Sequence, residues 1–259
     1  MKYYIIFFLI VHLLYSCNNA NNVVRIGHIG EFDYDIWEQI DKELIRDKYK
    51  LDIVYFDSYE LLNAALNSGD IDLNTFQNYS YFVNDTNNNN YKLAILETTF
   101  IAPMNIYSKH LTNLNQITTN SKIAIPSDKI NLSRALFILE KAKLITLQDN
   151  DNNFYSGYNL IENNLQLEII PMDAGEVYYS LDKVDAAIIN YGFISDYQNV
   201  NTLYYDDVTI YPHHKYENLI VCREKDKLCN LYIFIAASYK QKIKAKIEAN
   251  KLQGLIAVD

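Results

Sequence analysis

Residues 51–76 read LDIVYFDSYELLNAALNSGDIDLNTF. The opening LDIVYFD is a short apolar run rich in β-branched and aromatic residues, the pattern of a strand. YELLNAALNSG follows as a helix, with Gly69 just past its end, where a left-handed backbone suits glycine. DIDLNTF is a second strand. A strand, helix and strand of these lengths close as a right-handed crossover between parallel strands. Upstream, VVRIGHIG (23–30) predicts another strand. A helix over 34–49 then places Ile36, Trp37, Ile40, Leu44 and Ile45 on one side of a 3.6-residue repeat, a face that needs a sheet to cover.

The same order recurs further on. KIAIP, a helix from Asn131 to Ala142, LEIIP, the helix AGEVYYSLDK and the strand VDAAIIN form a second α/β unit. YKLAILETTFIAPMNIYS carries strand-like runs from one unit to the other, and 228–251 is rich in helix formers. The segments 66–76 (LNSGDIDLNTF) and 181–193 (LDKVDAAIINYGF) echo one another, each with an acidic residue opening a strand and an Asn near its carboxyl end. Ligands bind beyond the carboxyl ends of strands in open α/β sheets, so two lobes facing each other across such ends would enclose a cleft. The expected bodies are 23–107 plus 215–259 for lobe 1 and 108–214 for lobe 2.

With 259 residues, 49% hydrophobic and 21% charged, and only 7 Gly and 4 Pro, the chain can bury real cores and is neither collagenous nor disordered. A formal charge of -9 repels phosphate backbones, so no nucleic-acid partner is expected. The 23 Tyr and the Asn-rich stretch 84–90, read as a loop, are compositional. The histidines outside the leader, His28, His110, His213 and His214, form no H-E-x-x-H set, the last two pointing to opposite faces of a strand. No G-x-S-x-G or glycine-rich phosphate loop is present, so neither an enzyme, a cofactor nor a metal is expected.

The chain begins MKYYIIFFLIVHLLYSC. A lone Lys2 precedes an apolar run from Tyr3 to Leu14, shorter than the ~20 residues of a membrane-spanning helix. Residues 1–16 read as a signal peptide, and Leu14-Tyr15-Ser16-Cys17 looks like a bacterial lipobox, which makes Cys17 the expected lipid-attachment site and 17–22 a tether. An ordinary signal peptide with an incidental cysteine is the alternative. An exported Cys222 and Cys229 could pair as a disulfide, or Cys222 could be a buried free thiol within ENLIVCR.

The stretch most informative for chemistry is IAIPSDKINLSRALFILEKAKLI (123–145). A strand runs into the polar turn Ser127-Asp128-Lys129, with Asn131 as the expected N-cap and Arg134 in the first helical turn. A guanidinium beside free backbone N–H groups takes a carboxylate bidentately; pairing with an acidic side chain is the competing reading.

Five segments resemble, in register, the NlpA family of lipoproteins. IAIPSDKINLSRAL resembles VAIPNDxTNxxRAL, TFIAPMNIYSKHLTNL resembles VFVEPMGLYSKKYKSL, and DLNTFQNYSYF resembles DANFFQHxPYL. VDAAIIN resembles the strand ending in a pocket Asn, and KYENLIVCR resembles PYANVIVVR. The likeness spans almost the whole chain from VVRIG to LQGLIAV. It implies a two-lobed α/β fold of the type II periplasmic-binding-protein kind, acting as the extracytoplasmic substrate-binding component of an amino-acid ABC importer. The implied ligand is L-methionine, and the implied partners are the permease and ATPase subunits, with the protein anchored by lipid to a membrane of the cell envelope and facing the periplasm or exterior. Arg134 would bind the ligand carboxylate, Asn131, Asn190 and Asn218 its polar groups, and Phe76 and Tyr81 would wall the side-chain pocket.

Several positions depart from the family. Its His after Gln is Asn78, which becomes the pocket group there, and its Phe-Phe pair is Thr75-Phe76. Ser80 replaces a Pro, Ala102 a Glu, and GEFDYD a Gly-Pro-His turn. The groups for an amino-acid backbone are kept while the side-chain pocket changes. The alternative function is a surface lipoprotein with a decayed or altered pocket, serving adhesion or another small ligand.

Overall fold

The computed structural model of the chain describes residues 22–30, 32–148, 160–194, 199–249, 252 and 254–258. The signal peptide, Cys17 and all of the tether but Asn22 lie outside the described residues. In chain order the first elements are β1 (Val23–His28), α1 (Tyr34–Leu44), β2 (Lys50–Tyr55), α2 (Glu60–Ser68), β3 (Leu73–Thr75), α3 (Tyr79–Asn89) and β4 (Leu93–Ile101). Next come β5 (Ile106–Ser108), β6 (Lys122–Pro126), α4 (Lys129–Lys141), β7 (Thr146–Leu147), β8 (Leu160–Glu162), β9 (Glu168–Met172), α5 (Ala174–Val177), β10 (Ala186–Ile188) and β11 (Asn201–Tyr204). The chain then returns through β12 (Glu217–Arg223), α6 (Asn230–Glu248) and β13 (Ile256–Ala257).

Two mixed sheets organise these elements. The first has strand order β13-β4-β12-β3-β1-β2 and the second β11-β5-β10-β6-β9, while β7 and β8 form a small ribbon. The β-α-β segments pair in parallel as the crossovers require, β1 with β2 and β3, and β6 with β9 and β10. The strands carrying the chain between sheets run antiparallel to them: β12 against β3 and β4, and β5 against β10 and β11. The echoing segments supply β3 and β10, which hold the same place in their sheets, between the parallel strands and the returning one. Since β5 belongs wholly to the second sheet, the chain leaves the first before Ile106, earlier than the expected boundary at 107/108.

Local departures have simple causes. α1 stops at Leu44 and tightens into a 3-10 turn over Ile45–Asp47, which swings Ile45 out to 58% exposure instead of onto the buried face. Lys48, in the left-handed region, then turns the chain into β2. Gly69 caps α2 with φ 94°, as the sequence expects. The stretch 84–90 is the end of α3, not a loop, because Asn78 supplies a good N-cap and Asn90 a left-handed C-cap. His213 and His214 sit in a turn before β12, with His214 at φ 66°, so they are not strand neighbours. Cys222 is a buried free thiol, so no Cys222–Cys229 disulfide forms; burial pushes its pKa up to about 12.

The first lobe's core is centred on Trp37, stacked on Tyr239 at 4.5 Å, where α1 and α6 meet over the sheet. In the second lobe, α4 covers one sheet face through Ala135, Ile138 and Leu139, and α5 with the following turn covers the other through Val177 and Leu181. Each fully buried Ile, Leu or Val among them contributes about 1.5–3 kcal/mol.

The lobes meet through two close backbone approaches. A Cβ on Gly175 would lie 2.3 Å from the Asp57 carbonyl oxygen, and one on Gly30 would lie 2.3 Å from that of Gly192. Ser58 Oγ donates to Asp173 Oδ2 at 3.1 Å beside the first contact. Gly175→Ala is expected to hold the lobes apart, raising the radius of gyration measured by small-angle X-ray scattering. An unchanged value would contradict this role.

Candidate functional site

The strand ends that face across the lobes enclose a cavity of about 60 Å³. The structure brings all seven proposed pocket residues to its lining: Phe76, Asn78, Tyr81, Asn131, Arg134, Asn190 and Asn218. Their local environments differ from expectation in three places.

The N-cap of α4 is Asp128, not Asn131. Its backbone is extended, and its Oδ1 accepts from the N–H groups of Ile130 (3.2 Å) and Asn131 (3.0 Å). A carboxylate is as good a cap as an amide and also complements the helix dipole. Asn131 is therefore inside the first turn, fully buried, donating through Nδ2 to Asp128 Oδ2 at 2.9 Å. Its Oδ1 accepts from Asn190 Nδ2 at 3.0 Å. Asn190 Oδ1 is buried and has no hydrogen-bond partner.

Arg134 consequently lies in the second turn of α4, and it is paired. It is 4% exposed, and its Nη2 donates to Asp206 Oδ2 at 2.6 Å and to the Ala102 carbonyl at 2.8 Å. The guanidinium carbon stands 4.5 Å from the Tyr216 ring centroid and 5.0 Å from that of Tyr211, a cation–π cradle. Tyr211 in turn donates its hydroxyl to Asp206 Oδ1 at 2.6 Å. Burial opposes the charge on Arg134, but Asp206 outweighs it and holds the pKa above its ordinary value. Arg134 Nε is buried without a partner.

Asn78 is more a structural group than the sequence suggests. Its Oδ1 caps α3 by accepting from Tyr81 N at 3.0 Å, and its backbone bridges to Asn218. Asn218 Nδ2 donates to the Phe100 carbonyl at 3.3 Å. Phe76 and Tyr81 lie edge to face at 5.7 Å, joined by Tyr59 at 5.5 and 5.6 Å. Tyr59 also touches Phe193 of the other lobe at 5.0 Å.

Sequence reasoning missed Asp206, Tyr211, Tyr216 and Tyr59. A buried Arg demands a counter-charge, so an acid was to be expected, but nothing in the spacing singles out Asp206 among 32 acidic residues. It also missed His28, which lines the cavity and is 1% exposed. Both ring nitrogens face acceptors, Nδ1 the Thr75 carbonyl at 2.9 Å and Nε2 the Asp33 carboxylate at 2.8 Å, so the ring is held as imidazolium. Asp33 also accepts from the Tyr239 hydroxyl. Among the described residues, no group of His, Cys, Asp and Glu could hold a metal ion.

Two mixed α/β sheets joined by two crossovers, with amides, one paired arginine and aromatic rings around the slot between them, define a two-lobed substrate-binding protein. The chain matches the NlpA lipoprotein family over residues 24–258 and belongs to it. It is a family of substrate-binding proteins, not of enzymes. The chain is 32% identical over 218 residues to the D-methionine-binding lipoprotein MetQ of Escherichia coli K12, covering 80% of this chain and 77% of that one. A nutrient-binding protein of Burkholderia cenocepacia, solved bound to methionine, superposes with TM-score 0.80 at 26% identity, over 91% of this chain and 100% of that one. The substrate-binding protein of a Streptococcus pneumoniae methionine transporter superposes with TM-score 0.82 at 27% identity, over 92% and 96%.

The His28–Asp33 pair makes stability depend on pH. Burial works against the His28 charge, but the Asp33 charge and the two hydrogen bonds prevail and raise its pKa above 6.5. Burial likewise opposes ionised Asp33, and His28 overrides it, lowering that pKa below 3.8. The His28 contribution is fully present below pH 6.5 and is lost as pH rises through its raised value; that of Asp33 is present above pH 3.8 and lost as pH falls through its lowered value. The melting-temperature gap between wild type and His28→Gln should therefore be widest from pH 3.8 to 6.5 and shrink in alkali. A gap independent of pH would show that His28 is not charged.

Proposed function

We propose that the protein is the lipid-anchored receptor of an ABC importer, binding a free amino acid with an uncharged, apolar side chain, methionine foremost, and presenting it to a permease. ATP hydrolysis belongs to a separate subunit, and no chemistry is done on the ligand. The observation that carries this reading is a matched pair of orphans. Arg134 Nε is a buried donor and Asn190 Oδ1 a buried acceptor, neither with a partner. An unmet buried polar group costs about 1–3 kcal/mol, and a zwitterion satisfies both: its carboxylate accepts from Arg134 and its ammonium donates to Asn190. Asn131 holds Asn190 in place, and Asn218 and Asn78 add amide groups from the first lobe's side of the cavity.

Charge balance sets the class of side chain. The two cations of the lining, Arg134 and His28, are each neutralised, by Asp206 and Asp33. A zwitterion adds no net charge to this neutral site, whereas a lysine or glutamate would bring an unpaired one. The rings of Phe76, Tyr81 and Tyr59 offer their faces and edges to the remainder of the ligand, which suits a polarizable thioether. The family membership and the methionine-binding relatives support the same ligand.

Isothermal titration tests the assignment. Arg134→Lys keeps a cation for Asp206 but removes Nε, and methionine affinity should fall at least ~10-fold, about 1.4 kcal/mol. Asn190→Ala should lose about 1–3 kcal/mol. In a thermal-shift series, methionine should stabilise the protein and lysine and glutamate should not. Full affinity in both variants would sink the assignment.

A further inference from the structure

At the start of α6, the surface carries apolar side chains that no core uses. Leu228 is 55% exposed, Ile233 44% and Phe234 48%. Their neighbours Tyr232, Ile235 and Ala236 point the other way, into the first lobe's core. Lys225 and Lys227 are exposed beside them. An outward face of Leu, Ile and Phe flanked by lysines has the composition of a segment that rests in a membrane interface.

The strand register places this face where the chain enters the lobe. Ile26 of β1 pairs with Leu73 of β3, and Leu73 pairs with Cys222 of β12. β12 runs opposite to β1, so its last residue, Arg223, one after Cys222, comes level with Arg25, one before Ile26, near the amino end of β1. Two strand spacings separate them, roughly 10 Å. Asp72 confirms the proximity, accepting from Arg25 of β1 at 3.3 Å and from Arg223 of β12 at 3.2 Å, while Arg223 also binds Asp226 at 2.6 Å. This is the amino-terminal end of β1 and β3, opposite the strand ends that build the cavity. From Cys17 to Val23 is six residue steps, at most about 20 Å of extended chain.

We propose that Leu228, Ile233 and Phe234, with Lys225 and Lys227, form a bilayer-docking face that seats the first lobe on the membrane holding its anchor. The inference rests on the lipid-anchor reading of Cys17. A short tether keeps the lobe within reach of the headgroups, and this face lies beside its point of attachment. Three apolar side chains then leave water for the interface, and the two lysines meet anionic headgroups. The cavity faces away from the bilayer in this seating, so the lobe leaves it to present a ligand to the permease.

The test uses the full chain, purified from membranes and reconstituted in vesicles of phosphatidylcholine with a minority of phosphatidylglycerol, with or without brominated acyl chains. Phe234→Trp should show a blue-shifted emission and lose intensity on brominated vesicles. Tyr179→Trp, at a position 66% exposed on the second lobe, should not. Adding Leu228→Ser and Ile233→Ser to Phe234→Trp should abolish the quenching. Fatty-acid labelling of wild type and of Cys17→Ala is measured alongside. If the Phe234→Trp protein carries the label and bromine does not quench its added indole, with or without a blue shift, the docking face is overturned. Absence of label in the wild type overturns the anchor, and the docking proposal with it, while leaving the amino-acid site untouched.

Discussion

The ion pair between Arg134 and Asp206 is the contact on which the two-lobed arrangement turns. Both side chains are almost wholly buried, so each needs the other; removing one partner of such a pair costs about 3–5 kcal/mol. The pair stands where both crossovers pass. Arg134 reaches the first through the Ala102 carbonyl, and Asp206 reaches it by accepting from Met104 N at 3.1 Å. Asp206 N donates to Asn105 Oδ1 at 2.9 Å, and Tyr211 and Tyr216, on the second crossover and its exit, enclose the guanidinium. One charge therefore ties α4 to both crossovers, while Arg134 Nε has no partner among the described residues.

Closure and recognition use the same few segments. The residues following β1 and β10 provide the Gly30–Gly192 approach, the Phe32–Tyr191 ring contact at 5.2 Å and the Asn190 amide. The residues following β2 and β9 provide the Gly175–Asp57 approach. Side chains at these backbone contacts would separate the lobes before the slot closed. Hinge closure around a ligand is the motion such an architecture supports.

Much of this was readable in the chain because it rests on local chemistry. The parallel β-α-β cores follow from periodicity and from Gly69, and the pocket residues follow from motifs in family order. Harder to read were features that depend on distant partners. The antiparallel placement of β12 and β5 is a property of the crossovers, not of either strand's pattern. Asp128 displaced Asn131 as the cap because both are good caps and only burial separates them. Asp206 lies 72 residues from Arg134, and His28 and Asp33 become an ion pair only when β1, β3, α1 and α6 are packed together.

The proposed site rests on Arg134 Nε and Asn190 Oδ1, which would receive the two charged ends of an amino acid. A crystal structure grown with methionine tests it most directly. A ligand carboxylate oxygen should lie within hydrogen-bonding distance of Arg134 Nε, about 3 Å, the ammonium equally near Asn190 Oδ1, with the Arg134–Asp206 pair intact. A ligand bound elsewhere, or one in this cavity that leaves both atoms without a partner, would contradict it.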